Sequence, residues 1–256
     1  MALMGFAFFL ARRLDNFSIV DVAWSFNFTP IALAAAVLGS GAVPRRLVIA
    51  GLVALWSLRL TVHLARRIAA LHPVEEGRYL ELRRRWAADL NASFLRFFML
   101  QGLLNVALSI PFMFACMNPS SSPGPAMVIG VMVFLVSLGG EALADAQLNA
   151  FRKNPANAGK VCDAGLWRYS RHPNYFFEWL VWCAFALMAT STPWGWISWG
   201  CPALMLYFLL RVTGIPATEE QALRSRGDAY REYQATTSAF VPWPPRRVPE
   251  RSFTSK

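Results

Sequence analysis

The sequence predicts an all-α, polytopic membrane protein with about seven transmembrane helices, its N-terminus outside and its C-terminus cytoplasmic. Three observations carry this expectation. Hydrophobic residues make up 55% of the 256 positions and charged residues only 16%, with ten Trp and nineteen Phe, a balance too apolar for an ordinary soluble domain. Several apolar runs approach the roughly 20 residues needed to cross a hydrocarbon core. Arg and Lys gather in alternate loops, which assigns those loops to the cytoplasmic side.

The first apolar run, 2–11, is short: it reads as a truncated or partly inserted helix, or as the mark of a start further upstream. No basic residue precedes it and no small-residue cleavage site follows, which argues against a signal peptide. Spanning runs follow at roughly 18–39, 47–65, 94–117, 126–147, 175–192 and 196–213. Arg12 and Arg13 follow the first segment. Arg66, Arg67, Arg78, Arg83, Arg84 and Arg85 follow the third, and Arg152, Lys153, Lys160, Arg168 and Arg171 the fifth. Loops 66–93 and 148–174 and the tail 214–256 therefore form the cytoplasmic side. The opposite loops are short: 40–46 carries Arg45 and Arg46, 118–125 is uncharged, and 193–195 is a Pro-containing turn. No repeat or low-complexity linker divides the chain, so 1–256 reads as a single membrane domain.

Within the first long loop, 75–90 is helix-forming and amphipathic, with Tyr79, Leu82 and Trp86 near helical spacing. It suits a helix lying on the headgroups or one that contacts a ligand. The tail predicts one helix over about 219–236, after which Pro242, Pro244, Pro245 and Pro249 keep the chain extended.

Positive-inside topology and contact with anionic lipid account for most of the net charge of +10, and a phosphate-rich ligand for the remainder. The charge is dispersed among spanning segments and no recognised motif accompanies it, so nucleic acid is not expected as a partner. Cys116, Cys162, Cys183 and Cys201 lack metal-ligand spacing, and neither a metal nor a disulfide is assigned to them.

Polar groups near hydrocarbon must pair with each other or with a ligand, so their clusters mark candidate sites. Glu141, Asp145, Asn149 and Arg152 line one face of the fifth helix, with Lys153 beside them. Carboxylates there can accept bonds from ribose hydroxyls or an amide, and Arg152 and Lys153 can neutralise phosphate. The run 162–178 holds Arg168, Tyr169, Arg171 and His172, then Asn174 and Glu178 one turn apart at the start of the sixth helix. Pro173 suits that helix's first turn. Asn174 offers the donor and acceptor that a carboxamide requires. His172 alone is more often structural, and Arg168 and Arg171 also mark a cytoplasmic face.

Arg59 and His63 are one turn apart within the third segment. Asp21 is the only acid in 18–33, where a desolvated carboxyl can hydrogen-bond a carbonyl as a neutral acid; an ion pair with Arg59 is the structural alternative. In the tail, Glu219 and Glu220 precede Tyr230 and Tyr233, a pair that can cover a flat ring or pack against lipid.

Together these residues resemble the membrane steroid 5α-reductase family, especially its bacterial branch. The matching pieces are Asn16-Phe17-Ser18-Ile19-Val20-Asp21-Val22, Arg78-Tyr79 with Arg83-Arg84-Arg85-Trp86, the run 159–178, and Thr237-Ser238-Ala239-Phe240-Val241-Pro242-Trp243-Pro244-Pro245. The resemblance covers nearly the whole chain. It implies a seven-helix inner-membrane protein that binds NADPH from the cytoplasm and reduces a carbon–carbon double bond conjugated to a ketone, in a steroid or related lipid entering from the bilayer. Asp145, Arg152, Asn174, Glu178 and Arg59 match cofactor-binding positions. Asn149 stands where the steroid enzymes often have Arg, and Glu141 where they have Asn. His63, Lys153, Arg168, Tyr169, Arg171, His172, Glu219, Tyr230 and Tyr233 complete the expected cofactor set. For catalysis, Asp21 takes the position of the family's Glu, and Trp56 that of its Tyr. An indole donates a hydrogen bond but is not a phenolic acid.

Isoprenylcysteine and phospholipid methyltransferases share an Arg-His-Pro-x-Tyr run, a later Glu-Glu pair and a Gly-x-x-Tyr-x-x-Tyr-like tail, present here as Arg171–Tyr175, Glu219-Glu220 and Gly227–Tyr233. Bound S-adenosylmethionine has no phosphates to neutralise, so the Arg152-Lys153 pair and the proline-rich ending favour the reductase. A non-catalytic lipid-binding protein would not need so many cytoplasmic polar groups. Nothing in the sequence requires an oligomer.

Overall fold

The computed structural model describes residues 1–246, and among them it contains helices and no strand. Eleven α-helices are present among the described residues: α1 (Ala2–Arg13), α2 (Ile19–Leu38), α3 (Val43–Leu71), α4 (Gly77–Arg85), α5 (Leu90–Leu108), α6 (Ile110–Met117), α7 (Pro125–Lys153), α8 (Pro173–Ala189), α9 (Gly200–Tyr207), α10 (Ile215–Arg226) and α11 (Asp228–Thr236). Among the described residues, five helical stretches are long and apolar enough to cross a membrane: Ile19–Leu38, Val43–Leu71, Ala87–Met117, Pro125–Lys153 and Gly195–Arg226. Of the other two expected spans, α1 has 12 residues and α8 has 17. Large apolar side chains such as Leu33, Val37, Leu47, Leu103 and Val136 are exposed, as expected of surface that meets lipid rather than water.

The chain divides into two compact units, one of Met1–Ile129 with Phe185–Cys201, the other of Gly130–Ala184 with the described part of Pro202–Lys256. In the first, polar side chains join the apolar helices. Ser57 donates to the Ser25 carbonyl (2.6 Å), Thr29 to the Ser57 hydroxyl (2.9 Å), and the Asn27 amide to Asn105 (2.9 Å). Hydroxyl and amide bonds of this kind hold helices together where lipid gives no hydrophobic drive to associate. An aromatic cluster of Phe17, Phe94 and Phe98 fills the space beside α1. A second brings together Phe28, Trp56, Phe112 and Phe185. Arg45 and Arg46, the cations of the short stretch 40–46, bond backbone carbonyls from the first turn of α3. Arg46 donates to the carbonyls of Ala36 (2.7 Å) and Gly39 (2.8 Å), where the end of α2 leaves oxygens without helical partners.

Several boundaries depart from the sequence expectation. The run 94–117 breaks at Ser109, because Pro111 has no N–H for the Ala107 carbonyl; the Cys201 thiol reaches that oxygen at 3.6 Å. The stretch 75–90 is helical only over Gly77–Arg85, followed by a 3-10 turn. Its Tyr79, Leu82 and Trp86 face packs on the Phe17–Phe94–Phe98 cluster instead of lying on headgroups. The tail helix expected over 219–236 is two helices. They are divided at Gly227, whose φ of 54° and ψ of −124° suit a residue without a Cβ. Residues 242–246 have no regular secondary structure, in keeping with their prolines, while Pro249 lies outside the described residues.

Candidate functional site

In the first unit the polar feature is the start of α2. Asp21, partly exposed, accepts a hydrogen bond from the phenol of Tyr79 at 2.7 Å. Among the described residues this bond, and not an ion pair with Arg59, is what Asp21 makes. Tyr79 is completely buried. Burial pushes its phenol well above the usual range, so Tyr79 keeps its proton and is the donor. The Arg78 guanidinium lies over the Tyr79 ring at 5.5 Å.

Five ties fix this arrangement. The Phe17 amide donates to Glu75, which also receives Arg83 at 2.5 Å, and Arg83 reaches Asp15 at 2.8 Å. The Glu76 amide donates to Ser18 (3.3 Å), and Arg67 holds the Glu76 carboxylate through two bonds of 2.7 and 2.8 Å. Trp56, expected to stand beside the reacting carbonyl, is fully buried among Phe28 and Phe185, while Arg59 and His63 lie one turn apart on α3, both partly exposed.

In the second unit the stripe on α7 changes character along its length. Glu141 and Asp145 are buried; Asn149, Arg152 and Lys153 are exposed. The Asn174 amide at the start of α8 donates to Asp145 at 3.3 Å. One turn on, Glu178 is buried and accepts from the Trp182 indole at 3.1 Å. The chain between these helices is docked by its own side chains: Trp167 donates to the Ala144 carbonyl (2.9 Å) and the Leu166 amide to Gln147 (2.9 Å). Gly165 permits this, since a Cβ there would lie 2.5 Å from the Gln147 amide and the residue has φ of 61°. Arg168 and Tyr169 are exposed at this turn.

Arg171 and His172 turn toward the tail. Arg171 bonds Glu219 at 2.6 Å and the carbonyls of Thr237 (2.5 Å) and Gln234 (3.1 Å); His172 lies 3.3 Å from the same Glu219 oxygen and stacks on Tyr175. Tyr233 donates to the Trp167 carbonyl, and at 3.3 Å to that of Ser170. Burial, with the nearby Glu219 charge, pushes the Tyr230 phenol up to about 12, and burial drives Tyr233 higher still, so both hydroxyls remain protonated. The ending 237–243 runs beside 169–171, with Arg171 N to Ser238 O at 2.8 Å, Ser170 Oγ to Phe240 O at 2.8 Å and Trp243 N to Tyr169 O at 2.9 Å. Two stretches that look like separate motifs in sequence are thus one piece of structure.

The structure therefore brings Asp145 and Asn174 together, and Arg171, His172 and Glu219 together with the Tyr233 segment. It adds two residues absent from the site expected on sequence: Tyr79, the partner of Asp21, and Glu75, the buried anchor of α4. Tyr79 stood in a recognisable Arg-Tyr pair, but its contact lies 58 residues away and no local spacing reveals it. Among the described residues, no group of three or more His, Cys, Asp or Glu could hold a metal ion.

No curated protein and no solved structure matches the chain. A family model does match, over residues 7–237, and with that extent the chain belongs to the family described as "Protein of unknown function (DUF1295)".

Proposed function

We propose that this protein is a membrane-embedded, NADPH-dependent reductase of a carbon–carbon double bond conjugated to a ketone, acting on an apolar lipid with 3-oxo-Δ4-steroids as the leading class. The observation that carries the reading is the Asp145–Asn174 hydrogen bond, flanked by buried Glu141 and Glu178 and continued along α7 by exposed Arg152 and Lys153. That donor set fits a dinucleotide. Amide and carboxylates suit carboxamide and ribose hydroxyls, and Arg152, Lys153 and Arg168 suit phosphates. A plain structural contact between two helices would need neither the buried carboxylates nor the cations.

When bound, NADPH supplies the hydride that adds to the β-carbon of the enone. Asp21, as a neutral acid, hydrogen-bonds the carbonyl oxygen, where negative charge develops as the double-bond electrons move toward it. Water supplies the proton that completes the α-carbon, so one double bond, one hydride and one proton give the saturated ketone. Arg171, His172, Glu219, Tyr230 and Tyr233 support the site by holding the tail on 167–171. The proposal includes seven membrane segments, an outside N-terminus, a cytoplasmic C-terminus and residence in a bacterial inner membrane. Its basis is the loop distribution of Arg and Lys.

The Arg171–Glu219 pair joins the two motifs shared with membrane methyltransferases, and so favours S-adenosylmethionine as the second reading. Purified protein in detergent is titrated with NADPH and with S-adenosylmethionine, and NADPH oxidation is followed with a 3-oxo-Δ4-steroid. NADPH binding with steroid-dependent oxidation is the expected result. Binding of S-adenosylmethionine without affinity for NADPH overturns the reading.

A further inference from the structure

The acid in this reaction needs a defined proton, and a carboxyl group has two oxygens on which to carry it. Tyr79 donates to Oδ1 of Asp21 at 2.7 Å, and Oδ1 is then an acceptor. A protonated Asp21 must carry its hydrogen on Oδ2, which makes no hydrogen bond among the described residues and belongs to a partly exposed side chain. Tyr79 itself is completely buried, so it acts behind the carboxyl and not on the ligand.

We propose that Tyr79, carried on α4, is the positioning residue of Asp21: it fixes the acid proton on Oδ2, the oxygen presented to the ligand carbonyl. The inference rests on the reductase reading, and it answers why a chain with Trp56 in place of a tyrosine retains a usable acid. A phenol and a carboxyl meet here from α4 and α2, not from the third segment. The position of Tyr79 does not depend on its own hydroxyl. Glu75 to the Phe17 amide, Arg83 to Glu75 and Asp15, the Glu76 amide to Ser18 and Arg67 to Glu76 all hold the loop onto residues 15–18 and α3. The Tyr79 ring packs with Phe17, Phe94 and Phe98 in any case. Removing the hydroxyl alone therefore releases Asp21 without releasing α4.

The test compares wild type, Y79F, D21N and Y79F/D21N in detergent, with NADPH affinity and thermal midpoint measured first. A 3-oxo-Δ4-steroid is then bound without NADPH, and its ultraviolet band is followed, since a donor on the carbonyl oxygen moves that band to longer wavelength. Wild type is expected to show the shift, and Y79F a smaller one. In turnover, Y79F is expected to lose about tenfold in kcat, the worth of one well-placed hydrogen bond, with KM for the steroid and NADPH affinity close to wild type. Adding Y79F to D21N is expected to cost nothing further, because the two act as one unit. A wild-type band shift and wild-type kcat in Y79F overturn the inference. So does a loss that is additive with D21N, or one that follows thermal midpoint and NADPH affinity as a structural role would. Failure of NADPH to bind wild-type protein overturns the reductase reading instead, and the band shift still reports on Tyr79.

Discussion

The side-chain amide of Asn174 donates to the Asp145 carboxylate across 3.3 Å, linking the first turn of α8 to the buried part of the polar stripe on α7. The Asn174 amide has a carbonyl oxygen and a second hydrogen with which to meet a ligand. D145A and N174A are each expected to weaken NADPH binding by about tenfold, or about 1.4 kcal/mol. The double variant should lose less than the sum, since each single change already breaks the shared bond. A fluorescence titration with NADPH measures this. Unchanged affinity in both single variants removes the pair from the site.

Arg171 holds α10 and the C-terminal end of α11 at once, through Glu219 and the carbonyls of Gln234 and Thr237. The ion pair is nearly buried, its side chains 10% and 15% exposed. R171A leaves Glu219 without its cation and is expected to destabilise the second unit by about 3 kcal/mol. R171K should recover only part, because an ammonium cannot reproduce the guanidinium fork. Thermal unfolding in detergent, with limited proteolysis of the tail, reads the effect. Equal stability of R171A and wild type would show that the tail is held by packing alone.

His172 supplies a pH dependence. Burial lowers its pKa below the usual 6.5; the Glu219 hydrogen bond and charge act against this, and Arg171 acts with it. Because the folded value lies below the unfolded one, the unfolded chain binds more protons between the two. Stability is therefore present above about pH 6.5 and is lost as pH falls through the folded value. The thermal midpoint of wild type should fall on acidification from pH 7 to 5 more steeply than that of H172Q. Parallel profiles would assign the acid sensitivity to other groups.

Gly227 turns the chain between α10 and α11 with φ of 54° and ψ of −124°, and a Cβ there would meet open space. The cost of G227A is thus one of backbone strain without a clash, about 2 kcal/mol. The thermal midpoint should fall and Tyr233 should lose its hold on 167–170, visible as faster proteolysis between α10 and α11. A midpoint equal to wild type would mean that the turn relaxes freely.

Much of this was legible in sequence for local reasons. Glu141, Asp145, Asn174 and Glu178 lie on helices whose apolar composition and one-turn spacing put them on shared faces, whatever surrounds them. The break at Gly227 was missed because the polar pattern of 219–236 runs on without interruption; only the backbone angles at one residue divide it. Likewise 75–90 has the composition of a headgroup helix. That its apolar face packs on Phe17, Phe94 and Phe98 depends on chain far away in sequence.

The sequence by itself determined an apolar, all-helical chain with its polar residues gathered at helix ends, since hydrophobic runs and helical period are properties of neighbouring residues. The tertiary structure alone decided which of those polar residues meet. It put Tyr79 on Asp21, engaged Arg171 and His172 with Glu219, and laid 237–243 beside 169–171. Hydrogen bonds are directional and short, so partners 58 or 66 residues apart in the chain are fixed only once packing has set the helices in place.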